Sequence, residues 1–221
     1  LDVTNLIISH IRDSYEWHIT DIGNKSIVIY LPVIVKSSTG WHLFLSNQFS
    51  EEPNGKGYHT GPYQLAIATM GEHAGKIIEI NNGKEVLPFD ISITKTVAVL
   101  FIDAFLLLLF VLLPARWYRR HKSSDEAPSG FTGLVEMLVM YVEDNVVKPG
   151  IGEGYQKYSP YLLTCFFFIF ICNLMGVVPF PPGGGNVTGN ISITLFLALC
   201  TFVITQFSGT KHYWKDIFWP D

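Results

Sequence analysis

Two stretches decide the fold: Pro160–Val178, PYLLTCFFFIFICNLMGVV, and Ile191–Phe207, ISITLFLALCTFVITQF. Neither contains Lys, Arg, Asp or Glu, and the loop between them, Pro179–Gly189 (PFPPGGGNVTG), is also free of charge. A helix rises about 1.5 Å per residue, so segments of this length cover a hydrocarbon core of about 30 Å. Both are read as transmembrane helices, at 160–178 and 191–207. A third lies upstream at Thr96–Leu113, TVAVLFIDAFLLLLFVLL, with Asp103 as its one charge. Pro114 is expected to end it. Arg116, Arg119, Arg120, His121 and Lys122 follow, and a flank rich in Lys and Arg marks the cytoplasmic side. Helix two then crosses outward and helix three returns, with Lys211 and Lys215 beyond its inner end. The amino-terminal part is therefore expected outside and the carboxyl end inside.

Composition agrees with a chain that is only partly membrane-embedded. Of 221 residues, 48% are hydrophobic, and the charges are unevenly distributed. A net charge of −4 gives no nucleic-acid signature. The cysteines, Cys165, Cys172 and Cys200, all lie in the apolar segments, where they read as small apolar fillers rather than a disulfide framework or a zinc site. The first 25 residues hold Asp, Glu, Arg and His without an apolar core, so they are not read as a signal peptide.

Residues 1–90 read as a small α+β extramembrane lobe, and 91–221 as the membrane domain. Asp2–Tyr15 reads as a short amphipathic helix, with Leu6, Ile7, His10, Ile11 and Ser14 at helical spacing. Ser26–Val35 and Trp41–Leu45 read as strands turning at Ser38-Thr39-Gly40. Asn82-Gly83 is a hairpin signal between Lys76–Ile80 and Glu85–Leu87, because both central positions of that turn favour positive φ. Residues 46–63 read as a loop. In the membrane domain, Phe131–Val147 (FTGLVEMLVMYVEDNVV) is an amphipathic helix. Phe131, Leu134, Val135, Leu138, Val139, Val142 and Val146 lie on one face, and Glu136, Glu143 and Asp144 lie off it. Such a helix is expected at the interface or against other helices, stopped by Lys148-Pro149-Gly150.

Polar residues in the apolar part are the candidate functional groups. On helix three, Asn190, Thr194, Thr201, Thr205 and Ser208 fall within about 60° of one another at 100° per residue. Such a stripe serves close helix packing, with hydroxyls bonded to their own backbone, or lines a wet path. Asn173 sits about 7–8 Å inside the outer end of helix two. Asn190 opens helix three on the same side, where it also suits a helix N-cap. The two amides are expected to approach each other. Asp103 is an acid within a span, a functional candidate by its solvation cost or else a structural acid. Asn186-Val187-Thr188 and Asn190-Ile191-Ser192 also match glycosylation sequons. No phosphate-binding loop, dinucleotide fingerprint, HExxH or CxxC is present, and no metal or cofactor is expected.

The order of these parts resembles subunit a of F-type ATP synthases. GLVEMLVMYVEDNV is similar to that family's cytoplasmic amphipathic helix. KYSPYLLTCFFFIFICNLMGVVP resembles its next membrane helix, with an Asn-Leu-Met-Gly pattern before a proline, and NVTGNISITLFLAL resembles the start of the helix after that. The lobe resembles the longer amino-terminal extensions of Bacteroidetes-type members.

The resemblance implies a stator subunit of the Fo sector in the bacterial inner membrane, with a periplasmic lobe. Such a subunit is not catalytic by itself and carries protons past a rotating ring of c subunits. Its partners would be the c ring, b-type peripheral stalk subunits, other ATP synthase subunits and the lipid bilayer. Asn173 and Asn190 match the outer half-channel, with Thr188, Thr194, Thr201 and Thr205 as further polar lining. Where some members place acids, this chain has Gly176 and Thr188. The family's essential arginine is expected on a helix beyond Asp221. No arginine follows Arg120, so the chain is read as a truncated portion, and the basic cluster at Arg116–Arg120 is no substitute. A membrane-anchored extracytoplasmic binding or sensing domain is the alternative reading, and a small independent transporter a weaker one.

Overall fold

The computed structural model describes residues 13–22, 25–81, 83–122, 127–178, 185 and 187–218. The chain divides into two compact units, 1–102 with 175–185, and 103–174 with 186–221.

In the first unit the described residues of the lobe are built from strands. β1 (Glu16–Ile22) and β2 (Lys25–Tyr30) form an antiparallel hairpin. β3 (Pro32–Ser37) and β4 (Gly40–Leu45) pair with Ser37 opposite Gly40, so Ser38-Thr39 is a two-residue turn as expected. β5 (Tyr58–Thr60), β6 (Leu65–Ala68), β7 (Ile77–Asn81) and β8 (Lys84–Val86) make a four-stranded meander. β9 (Phe89–Asp90) returns to β3. The expected 82–83 hairpin forms, with Asn81 opposite Lys84 and Gly83 at φ +77°. Asn82 itself lies outside the described residues, as does most of the helix expected over Asp2–Tyr15. Its described end, 13–15, is not helical.

Three expectations for the lobe change. Ser26–Val35 is two strands rather than one, broken at the buried Leu31 before Pro32, where the chain passes from one sheet to another. β5 lies inside the expected loop at 46–63, with too few residues for a visible period. β1 and β6 also form where no strand was read. β1 is a mixed-polarity strand whose pairing with β2 supplies the order.

The core lies where the sheets converge. Val33, Val35, Phe44, Phe49, Leu65 and Ile77 are buried together with Tyr15. Each such apolar side chain contributes about 1.5–3 kcal/mol. The Tyr15 hydroxyl donates to Asp90 Oδ2 at 2.6 Å. Glu79 is 3% exposed, and its carboxylate accepts from the Ser38 hydroxyl and, at 3.0 Å, from the Ser38 amide. These two bonds, the hydroxyl foremost, hold its carboxyl below the ordinary glutamate range against the opposing effect of burial. A lowered folded value contributes stability above the unfolded value of about 4.3, lost as pH falls through the folded one. Glu79→Gln is therefore expected to lower the urea midpoint of the lobe at pH 7. The gap to the parent should narrow as pH falls below about 4. A gap unchanged by acid would contradict the assignment.

The lobe grips the start of the first membrane helix, α1 (Lys95–Tyr118). Helix N-termini leave orphan N–H groups. Here Lys95 N donates to Ser14 O at 2.8 Å, and Thr96 N to Asp13 Oδ1 at 2.9 Å.

Pro114 does not end α1, which continues one turn to Tyr118. A proline removes one ladder bond, and the three apolar residues before it with the turn after it carry the helix through. In the second unit, α2 (Gly130–Val142) is followed by a π-turn (Glu143–Val147) and by α3 (Lys148–Ile151). Lys148-Pro149-Gly150 thus does not stop the amphipathic helix. The π-turn shifts the ladder by one residue just before Pro149, which then sits at the start of the last segment, and Gly152 (φ +77°) closes it. The same shift moves the buried face. Val135 and Val142 are buried as expected, but Val147 takes the inward position and Val146 is 57% exposed.

The other apolar helices are α4 (Ser159–Val177) and α5 (Ile191–Ser208), followed by α6 (Lys211–Phe218). α1, α4 and α5 are each long and apolar enough to cross a membrane. No residue of α5 is buried, so its apolar surface is left for lipid or for partner helices. Phe110 of α1 packs on Phe167 of α4 and Phe131 of α2, with ring centroids 5.1 and 5.9 Å apart.

Candidate functional site

The candidate polar residues collect on α4, α5 and the turn before α5. In α4, every backbone carbonyl within the helix has a ladder partner, so a side chain there must bond locally or across to another element. Asn173 does both. Its Nδ2 donates to Ile169 O at 2.8 Å, one turn back, and its Oδ1 accepts from Thr188 Oγ1 at 3.3 Å. Asn190 takes the N-cap position of α5. Its Oδ1 accepts from Ser192 N at 2.9 Å, satisfying one orphan amide. Asn190 is thus the N-cap that its position suited, and the side-chain partner of Asn173 across the turn is Thr188. The cap competes for the Asn190 side chain, and sequence spacing alone does not resolve that competition.

The threonines of α5 bond first to their own helix. Thr194 Oγ1 donates to Ile191 O at 3.1 Å, Thr201 Oγ1 to Leu197 O at 3.0 Å, and Thr205 Oγ1 to Thr201 O at 2.8 Å. Their hydroxyl protons are spent, while their oxygens still have lone pairs free to accept. Thr201 Oγ1 also lies 2.9 Å from the Tyr161 hydroxyl of α4. Tyr161 was missed from the sequence, where it reads as an interfacial aromatic near the start of a span.

Asp103 lies on α1. It is 0% exposed, and neither carboxyl oxygen has a hydrogen-bond partner. The thiol of Cys172, itself 2% exposed, is beside it without a bond of ordinary geometry. Counted from the outer helix ends, Asp103 is about 12 Å and Cys172 about 7–8 Å deep. These depths differ by about one helical turn, so depth read from sequence alone does not pair them.

Among the described residues, no group of three or more His, Cys, Asp or Glu is placed to hold a metal ion. The arrangement offers instead a short run of neutral donors and acceptors, Asn173, Thr188 and Asn190, where α4 ends and α5 begins. Such groups exchange hydrogen bonds with water without fixing a charge.

Comparison with known proteins gives two family matches. Residues 77–221 match the model described as ATP synthase A chain, and residues 6–97 match a domain of unknown function (DUF8433). The chain is 46% identical over 127 residues to ATP synthase subunit a 2 of Chlorobaculum tepidum, covering 58% of this chain and 35% of that one. It is 43% identical over 136 residues to ATP synthase subunit a of Chlorobium phaeobacteroides, covering 58% and 38%. With ATP synthase subunit a of Myxococcus xanthus it shares 37% over 143 residues, covering 64% and 44%. It thus spans roughly a third to under a half of these curated relatives. No solved structure matches.

Proposed function

The chain belongs to the ATP synthase A chain family, and from that premise we propose that it supplies the outer, entry side of the ion path in the membrane stator of a rotary ATP synthase. The observation that carries this reading is the contact of Asn173 with Thr188 beside the Asn190 cap. An intramembrane amide has little reason to be there unless it is bonded and useful. Water or a hydronium ion entering from outside meets this polar run first, and the oxygens of Thr194, Thr201 and Thr205 extend it along α5. Protons then pass to a ring of c subunits. Residues 91–221 form the membrane domain, and 1–90 a lobe on the periplasmic side of the bacterial inner membrane. The basic run at Arg116–Lys122 supports a cytoplasmic placement of that end of α1.

Asp103 belongs to the same path in this reading. A buried acid without hydrogen bonds adds nothing to packing and costs about 1–3 kcal/mol or more. Its presence is better explained by function than by stability.

The alternative of a membrane-anchored sensing domain has no support in the comparisons, since the match to the synthase family covers the membrane part and enters the lobe. The stator reading predicts that the full-length protein, tagged and extracted in mild detergent, co-purifies with c-ring and b-type stalk subunits. Recovery without either would contradict it.

A further inference from the structure

The sheet made by β4, β3 and β9 has one face in the core and one face bare. Val33, Val35 and Phe44 point inward. The partner positions between them point outward in three rows. The chain after β9 continues the pairing, with Ile91 N donating to Ile34 O and Ile93 N to Pro32 O, each at 3.0 Å. The row farthest from the helix start is Phe89, Lys36 and Trp41, the next Ile91, Ile34 and Leu43, and the last Ile93, Pro32 and Leu45. Eight of the nine positions are apolar, one is a lysine and none is an acid. Leu43 is 74% exposed, Phe89 62% and Trp41 58%. A contiguous apolar surface of this kind marks an interaction site.

We propose that this face docks on the surface of the bilayer, and that the region of residues 6–97, which matches a domain of unknown function, acts here as a lipid-interface clamp on the first membrane helix. Three observations favour lipid over a protein partner. The last row ends two residues before Lys95, where α1 begins, so an extended link of about 7 Å ties it to the headgroup layer. Trp41 and Phe89 meet edge to face at 6.2 Å, and Lys36 lies over the Trp41 ring at 5.9 Å, a grouping of aromatic and cation suited to the headgroup zone. The lobe's exposed glutamates, Glu16, Glu51, Glu52, Glu72 and Glu85, lie outside these three strands, and Asp90 of β9 is held by the Tyr15 hydroxyl, so the three outward rows carry no acid against anionic lipid. The inference rests on α1 spanning a membrane and not on the ion-path reading.

The test uses the full chain in vesicles of phosphatidylcholine with phosphatidylglycerol, with Cys165, Cys172 and Cys200 replaced by alanine. A fluorescent probe is placed at Leu43→Cys, at Leu45→Cys, or at Glu85→Cys on the other sheet. The first two probes should be blue-shifted and lose most of their emission when the lipids carry a doxyl quencher, while the third keeps its emission. Equal quenching at all three positions would overturn the proposal. So would probes at 43 and 45 that stay unquenched and become shielded only when other subunits are added, which would assign the face to a protein partner.

Discussion

Replacing Asn173 by leucine in the assembled complex is expected to cut ATP-driven proton pumping by about five-fold to a hundred-fold. The estimate follows from losing about 1–3 kcal/mol of hydrogen bonding to a polar passenger. Two local effects are small by comparison. The bond from Asn173 to Ile169 O is internal to α4, and leucine is the better helix former. The helix should therefore survive the change, and assembly should be normal. The loss falls on Thr188, which would face an apolar side chain instead of Oδ1. Asn190→Leu is expected to reduce pumping as well, and to remove an N-cap at a cost of about 1 kcal/mol. Asn173→Gln, which keeps the amide one carbon further out, should recover part of the flux. Unchanged pumping in the leucine variant, with the complex assembled, would remove Asn173 from the path.

Asp103→Leu is expected to move stability and function in opposite directions. The carboxyl is fully enclosed and unbonded, and an apolar side chain of similar volume is often neutral or stabilising at such a site. The thermal midpoint of the purified protein in detergent should hold or rise, by an amount corresponding to about 1–3 kcal/mol. Pumping should fall. A residue held for packing would behave the other way, with a lower midpoint and pumping lost only in proportion to folded protein. Asp103→Asn separates the two further, since it keeps the shape and removes the exchangeable acid proton. Pumping retained in Asp103→Asn would deny Asp103 a proton-carrying role.

The membrane part was legible in the sequence because hydrocarbon imposes a length and a composition that few other demands imitate. α4 and α5 lie within a residue or so of the segments read from Pro160–Val178 and Ile191–Phe207. What misled was punctuation. Pro114 and Pro149 read as stops, yet both lie within continuing helix, the second made tolerable by a π-turn that periodicity at 3.6 does not encode. That single extra residue also exchanged Val146 for Val147 on the buried face. In the lobe, strong local turn chemistry at Ser38-Thr39-Gly40 was readable, whereas β1 is of mixed polarity and β5 is too short to show alternation. Within the candidate site the residue types and the N-cap of Asn190 were visible, but the pairing of Asn173 with Thr188 was not. Asn190 was taken by its own helix end, which left Thr188 for Asn173.

The proposed ion path is tested most directly by water access. Thr188→Cys in the assembled complex, in sealed vesicles, is exposed to a small membrane-impermeant thiol reagent applied to the periplasmic face or to the cytoplasmic face. The account predicts rapid labelling from the periplasmic face, slowed in the Asn173→Leu background, and little from the cytoplasmic face. No labelling from the periplasmic face, or equal labelling from both, would contradict it.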